Sequence, residues 1–191
     1  MIQLRHSFRE ALAAAGRPLV GAHRGASARC RENTLAAFAA AREADFWEMD
    51  VRLSADKVPV VIHDATVDRT TAGHGPVGGM TALMLEGYGV PALATVLAAG
   101  AGAVFFNIEL KPADDACALA TAVVETVAAL RLERQVLISS FDQAALPAVK
   151  RLAPALLTGL LYEERLADPV GRAISLGANA LHPRFPWRAR G

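Results

Sequence analysis

The chain has 191 residues, 53% of them apolar but only 6% aromatic, and 20 Lys and Arg against 19 Asp and Glu leave a net charge of +1. That is enough chain for one domain with a sizeable core, and the balanced charge, with no block of Lys or Arg, gives no electrostatic support for binding nucleic acid or a membrane surface. No stretch approaches the roughly 20 apolar residues of a membrane span or carries a signal peptide's apolar centre, and Cys30 and Cys117 fit no Cys-x-x-Cys pattern, so a reduced, cytoplasmic setting is expected.

In chain order, the pattern predicts a helix over 4–15, closed by Gly16 and Pro18, then a short buried strand over 19–23 that runs into an Arg24-Gly25-Ala26-Ser27 turn. Asn33 or Thr34 suits the N-cap of the next helix, whose apolar face carries Leu35, Phe38 and Ala39. The run Phe46-Trp47-Glu48-Met49-Asp50-Val51-Arg52 reads as a buried strand, on which Glu48 and Asp50 point the same way while Trp47 faces the core on the other side. Two neighbouring carboxylates out of water repel each other and need a cation, either an Arg or Lys partner or a divalent metal held by oxygen ligands.

Pro59-Val60-Val61-Ile62-His63 is a further strand, too close to Arg52 for a parallel crossover, so the two are expected to form an antiparallel hairpin turning near residues 54–57. That register places His63 roughly opposite Asp50, and a slip of one residue would turn it to the other face. Residues 64–91 read as loop. A helix is predicted near 92–100, a strand over 103–111 with Asn107, Glu109 and Lys111 on one face, and an amphipathic helix over 114–131. A strand at 135–140, a helix from Asp142 to Leu152, a strand at 157–162, a helix at 169–176 stopped by Gly177, and a strand at 178–182 follow. Residues 184–191 show no pattern.

The alternation of strands and helices predicts α/β with a parallel sheet, without repeats or a domain boundary. Polar residues gather at strand ends, the distribution of a β/α barrel whose site lies at its C-terminal rim. Taken singly, His23 or His63 reads as a satisfied core histidine, Lys111 can simply pair with Glu109, and Arg24 can neutralise Glu32. His74 is expected in solvent, and His182, though at a strand end, is not expected to be a site residue.

Together the pieces His23-Arg24-Gly25, Glu32-Asn33-Thr34, Glu48-Met49-Asp50-Val51, Val60-Val61-Ile62-His63-Asp64, Asp68-Arg69-Thr70-Thr71, Val90-Pro91-Ala92-Leu93, Asn107-Ile108-Glu109-Leu110-Lys111 and Ser139-Ser140-Phe141 stand in an order and spacing that resembles the glycerophosphodiester phosphodiesterase family, of bacterial cytoplasmic type. The resemblance covers residues 19 to about 182. It implies a distorted TIM-type (β/α) barrel with a divalent cation, Mg2+ or Ca2+, in its mouth. It also implies hydrolysis of glycerophosphodiesters, such as glycerophosphocholine or glycerophosphoethanolamine, to glycerol 3-phosphate and an alcohol in phospholipid and glycerol metabolism. Family roles carry over as metal ligation onto Glu48, Asp50 and Glu109, acid–base work onto His23 and His63, and phosphate binding onto Arg24 and Lys111. Glu32 and Asn33 are expected to support the rim.

The chain departs from the family pattern in three places. The hairpin turn carries Asp56-Lys57 where Asp-Gly is usual, a cost of about 1 kcal/mol if Lys57 takes a positive φ. The stretch from Met80 to Val90, before the Pro91-Ala92-Leu93 match, is short. The family's closing segments are missing, so six parallel strands plus the antiparallel strand at 59–63 are expected, without the last two barrel strands. The domain organisation is then an N-terminal helical segment, 1–18, packed on a C-terminally incomplete domain, 19–191. Two alternatives follow: a catalytically impaired remnant that binds a metal, an anion or a partner, and a phospholipase-type phosphodiesterase. A homo-oligomer covering the open edge is a further expectation.

Overall fold

The computed structural model describes residues 7–184, so residues 4–6 of the expected first helix and all but Arg184 of the patternless tail lie outside the described residues. The first helix, α1 (Phe8–Ala14), starts at Ser7, whose hydroxyl accepts from the Glu10 amide while the Glu10 carboxylate accepts from the Ser7 amide, a reciprocal cap. Next come β1 (Gly21–His23), α2 (Leu35–Ala39) capped by the Thr34 hydroxyl, β2 (Phe46–Leu53) and β3 (Pro59–Val61). Then α3 (Ala82–Gly87) and α4 (Leu93–Gly100) precede β4 (Phe105–Leu110), α5 (Ala116–Ala129), β5 (Val136–Ser140), α6 (Ala145–Leu152), β6 (Leu157–Tyr162), α7 (Pro169–Ser175) and β7 (Ala180–Pro183).

The six strands β1, β2, β4, β5, β6 and β7 pair in that order and in parallel, as expected, and β3 adds antiparallel to β2. Among the described residues β1 and β7 stand at the two edges, and the sheet is open. Alternation along each strand sorts the side chains into two faces. One face buries Trp47, Met49, Val51, Phe106, Ile108, Leu110, Val136 and Ile138 under α2, α4, α5 and α6. The other holds Phe46, Phe105, Leu137, Leu157 and Ala180 at the N-terminal ends of the strands, where α1 plugs it. There the Phe8 ring stacks on Phe105 at 4.8 Å. Further along the same face the residues turn polar, which leaves the C-terminal ends of the strands for chemistry. Trp47 is buried between Phe38 and Phe106, and its indole N–H donates to the Ala41 carbonyl. No helix among the described residues is long and apolar enough to cross a membrane.

One expected register is corrected. Val51 pairs with Val61 and Leu53 with Pro59, so the Asp50 carbonyl receives the Ile62 amide and not His63. The cause is the hairpin loop of residues 54–58, closed by a Ser54 amide to Val58 carbonyl bond, with Lys57 at φ 63°. His63 lies one residue beyond that pair, where the chain leaves the ladder and its carbonyl accepts from Arg52 Nε. The segment 64–91 is more ordered than a loop. A 3-10 turn at Val77–Gly79 and helix α3 pack Val67, Val77, Met80 and Leu85 into a small core with Val60, Ile62 and Val90.

Candidate active site

Three carboxylates meet on the polar part of the inner face. Glu48 and Asp50 leave β2 on the same side, and Glu109 stands beside Asp50 on β4 by strand register. One oxygen from each lies within 4.8 Å of the others. Asp50 is fully buried. Its Oδ2 accepts from Asn33 Nδ2 at 2.8 Å and lies 3.1 Å from Arg24 Nε. Its Oδ1 has no hydrogen bond, and the Lys111 ammonium stands off at 3.5 Å. Lys111 Nζ donates instead to Glu109 at 2.6 Å. Glu48 Oε2 accepts from the Arg24 amide at 3.0 Å and lies 3.8 Å from His23 Nε2. Burial, and then the neighbouring Asp50 charge, push the Glu48 carboxyl up to about 8.

The turn after β1 brings the cationic groups to these carboxylates. Arg24 and Asn33 both adopt φ 57°, a left-handed conformation in which the Cβ crowds the following carbonyl and which recurs at functional sites. The two are tied together by the Asn33 amide donating to the Arg24 carbonyl. Gly25 makes the turn possible. Its φ is 78°, and a Cβ there would come 2.7 Å from the Ala37 backbone. The result points the Arg24 side chain at Asp50 while its Nη1 pairs with Glu32 at 3.0 Å. Arg24 Nε and Asn33 Oδ1 are buried without a hydrogen bond, like Asp50 Oδ1.

The two histidines have different partners. His23 closes β1, exposed on its outer side, and burial of its inner side together with the Arg24 charge lowers its pKa. His63 turns its Nδ1 onto Asp64 at 2.6 Å. Asp64 in turn accepts from Arg69 Nε at 2.5 Å, and Arg69 Nη2 donates to Glu32 at 2.6 Å. Asp64 and Arg69 belonged only to the motif pieces in the sequence. Their signal was an acidic residue directly after a candidate histidine and a basic one five residues on. Two more residues went unsingled. Arg52, two positions past Asp50, fixes the rim by donating to the His63 and Pro112 carbonyls, and Ser139 donates to Asn107. An open cavity of about 580 Å³ adjoins this rim, lined by Arg52, Lys57, Pro112 and Asp114 among others. His74 is exposed beside Asp68, as expected. His182 is half-buried over Gly159, and burial lowers its pKa.

A divalent cation fits the donor set. Three clustered carboxylates, one with an unsatisfied buried oxygen and one whose charge is disfavoured by burial, are hard oxygen donors short of positive charge. Glu48, Asp50 and Glu109 would hold it.

A family model described as the glycerophosphoryl diester phosphodiesterase family matches residues 23–187. A glycerophosphodiester phosphodiesterase of Caldanaerobacter subterraneus subsp. tengcongensis is 38% identical over 87% of this chain and 76% of its own. Among solved structures, an Oleispira antarctica phosphodiesterase in complex with the product sn-glycerol-3-phosphate superposes with a TM-score of 0.79, at 28% identity over 90% of this chain and 76% of that one. A glycerophosphodiester phosphodiesterase from Agrobacterium tumefaciens gives a TM-score of 0.75 at 30% identity, over 87% of this chain and 76% of that one.

Proposed function

Since the chain belongs to the glycerophosphoryl diester phosphodiesterase family, whose members are phosphoric diester hydrolases, we propose that it cleaves glycerophosphodiesters to glycerol 3-phosphate and an alcohol with a divalent cation, Mg2+ or Ca2+. The observation that carries this reading is the carboxylate trio with its unsatisfied Asp50 oxygen, set beside the Arg24 and Lys111 side chains and with His23 3.8 Å from Glu48. The product bound to the Oleispira relative supports a glycerol phosphate half in the substrate, with glycerophosphocholine and glycerophosphoethanolamine as the candidates to assay.

The chemistry asks for three things. The diester is anionic, so its charge must be screened before a nucleophile approaches. Arg24, with Nη1 on Glu32 and Nε turned to Asp50, keeps Nη2 for a phosphate oxygen, and Lys111 acts as a point charge, both held in place beside Asp50. A bound cation adds Lewis-acid screening in the same pocket. The nucleophile must lose a proton, and His23, at the rim 3.8 Å from Glu48, is suited to accept it. The leaving alkoxide must gain one. In its imidazolium form His63 holds one N–H on Asp64 through Nδ1 and carries the other proton on Nε2, the nitrogen free to deliver it, which leaves the neutral Nδ1–H ring.

The test is glycerol 3-phosphate release from glycerophosphocholine with Mg2+ or Ca2+. Activity is expected to vanish with a chelator, and His23→Ala and His63→Ala are each expected to lose about 10²–10⁴-fold in kcat, the usual contribution of an acid–base group. Release at the unaltered rate in a chelator, or from either variant, would overturn the assignment of that group.

A further inference from the structure

The site geometry has a second layer. Asp50, Arg24, Glu32, Arg69, Asp64 and His63 form one chain of contacts with alternating charge that runs from the carboxylate trio around the rim to the second histidine. We propose that Arg69 is a positioning residue, bridging Asp64 and Glu32 so that the His63 imidazole and the Arg24 guanidinium keep a fixed orientation towards one phosphodiester. The inference rests on the roles proposed above for His63 and Arg24.

Three observations carry it. First, the bridge joins two loops far apart in sequence, since Glu32 follows β1 and Arg69 follows β3. Arg69 uses Nε and Nη2 on the two oxygens of Asp64, at 2.5 and 3.2 Å, and Nη2 on Glu32. A guanidinium is a planar fork, so this arrangement fixes directions as well as distances. Second, Asp64 is partly exposed, and among the described residues it is the one hydrogen-bond partner of the His63 ring. Holding Asp64 therefore selects the His63 tautomer that keeps hydrogen on Nδ1 and leaves Nε2 to the substrate side. Third, the loop bearing Arg69 does not need that side chain to fold. The Val67 amide bonds the Gly75 carbonyl, the Val77 amide bonds Ala65, Thr71 bonds Val67 through backbone and hydroxyl, and Val67 is fully buried. The Arg69 side chain is half exposed, so solvent weakens what its contacts add to stability, whereas a displacement of about 1 Å at a reacting group costs on the order of 10²-fold in rate.

The experiment reads the imidazole directly. With ¹⁵N-labelled protein at pH 8, the His63 ring signals, assigned by their loss in His63→Gln, should report a single Nδ1–H tautomer. In Arg69→Gln they should shift towards a mixture, with the thermal midpoint nearly unchanged. In turnover of glycerophosphocholine, Arg69→Gln is expected to lose about 10–100-fold in kcat, Arg69→Lys less, and the Arg69→Gln/Asp64→Asn double variant no more than Asp64→Asn alone. Unchanged His63 signals in Arg69→Gln overturn the proposal, as does a rate within twofold of the unaltered protein or losses that multiply. The spectrum decides even for a chain that releases no glycerol 3-phosphate, whereas His63→Ala tests the reading on which the proposal rests.

Discussion

At the scale of single residues, Glu48 shows how the site departs from ordinary protein chemistry. The folded chain holds its carboxyl near 8, against an ordinary value of 4.5, because burial and the Asp50 charge both oppose ionisation. A group whose pKa rises on folding stabilises the fold fully below the unfolded value and loses that contribution as pH climbs to the folded one. With a chelator present, the thermal midpoint should therefore fall as pH rises from about 5 to about 8. Glu48→Gln should flatten that fall, and millimolar Mg2+ or Ca2+ should offset it by binding the ionised trio. A midpoint that stays level or climbs over this range in the chelated protein contradicts the assignment. Much of this was legible from spacing. Alternation put Glu48 and Asp50 on one face, and Glu109 with Lys111 on one face of the later strand. The left-handed backbone of Arg24 and Asn33 was not, because nothing in either residue's type demands it. The close approach of Arg24 to Asp50 depends on that conformation.

At the scale of elements, the hairpin β2–β3 and helix α1 mark where sequence reasoning succeeds and where it slips. The antiparallel pairing followed from connection length alone, and the one-residue error at His63 came from the loop. Five residues, 54–58, close the turn, and Lys57 takes the φ of 63° that a glycine would take at no cost. Lys57→Gly should raise stability by about 1 kcal/mol in denaturant melts, the strain removed outweighing the extra entropy of the unfolded chain. A variant less stable than the parent would show that the Lys57 conformation carries no strain. Helix α3 escaped notice because its apolar residues do not keep to one face: Leu83 is 78% exposed and Met84 52%, while only Leu85 is buried. Periodicity cannot find a helix that wastes its apolar side chains on solvent. Helix α1 is short, yet Phe8 is 3% exposed against Phe105 and Phe46. Phe8→Ala should cost about 3 kcal/mol in a urea melt. Activity per folded molecule should persist, since α1 touches the end of the sheet opposite the carboxylates. Loss of turnover at full folding would tie the plug to the site.

At the scale of the whole molecule, the strand count and the alternation of helix and strand were readable from the chain, and the order β1-β2-β4-β5-β6-β7 follows from right-handed crossovers between successive strands. That order distributes the site unevenly. The carboxylates stand on β2 and β4, each flanked by strands on both sides, and every residue of β4 and β5 is buried. His23 and the turn that carries Arg24 belong to β1, which pairs only with β2 among the described residues and buries none of its three residues. Local opening takes the least buried, singly paired elements first. Backbone amides of residues 21–25 should therefore exchange with solvent by an opening cheaper than that of 46–53 and 105–110. Saturating Mg2+ or Ca2+ should slow exchange in 46–53 and 105–110, by about 100-fold at a free concentration 100 times Kd if their opening releases the ion, and should slow 21–25 far less. Under mild urea, phosphodiester cleavage should then fail before cation binding does, because His23 and Arg24, proposed above to accept a proton and to hold the phosphate, detach while the carboxylate trio stays assembled. Hydrogen exchange followed by mass spectrometry, beside calorimetric cation titrations in the same urea series, measures both. Loss of cleavage and of cation binding at one urea concentration would mean that β1 opens only with the whole sheet.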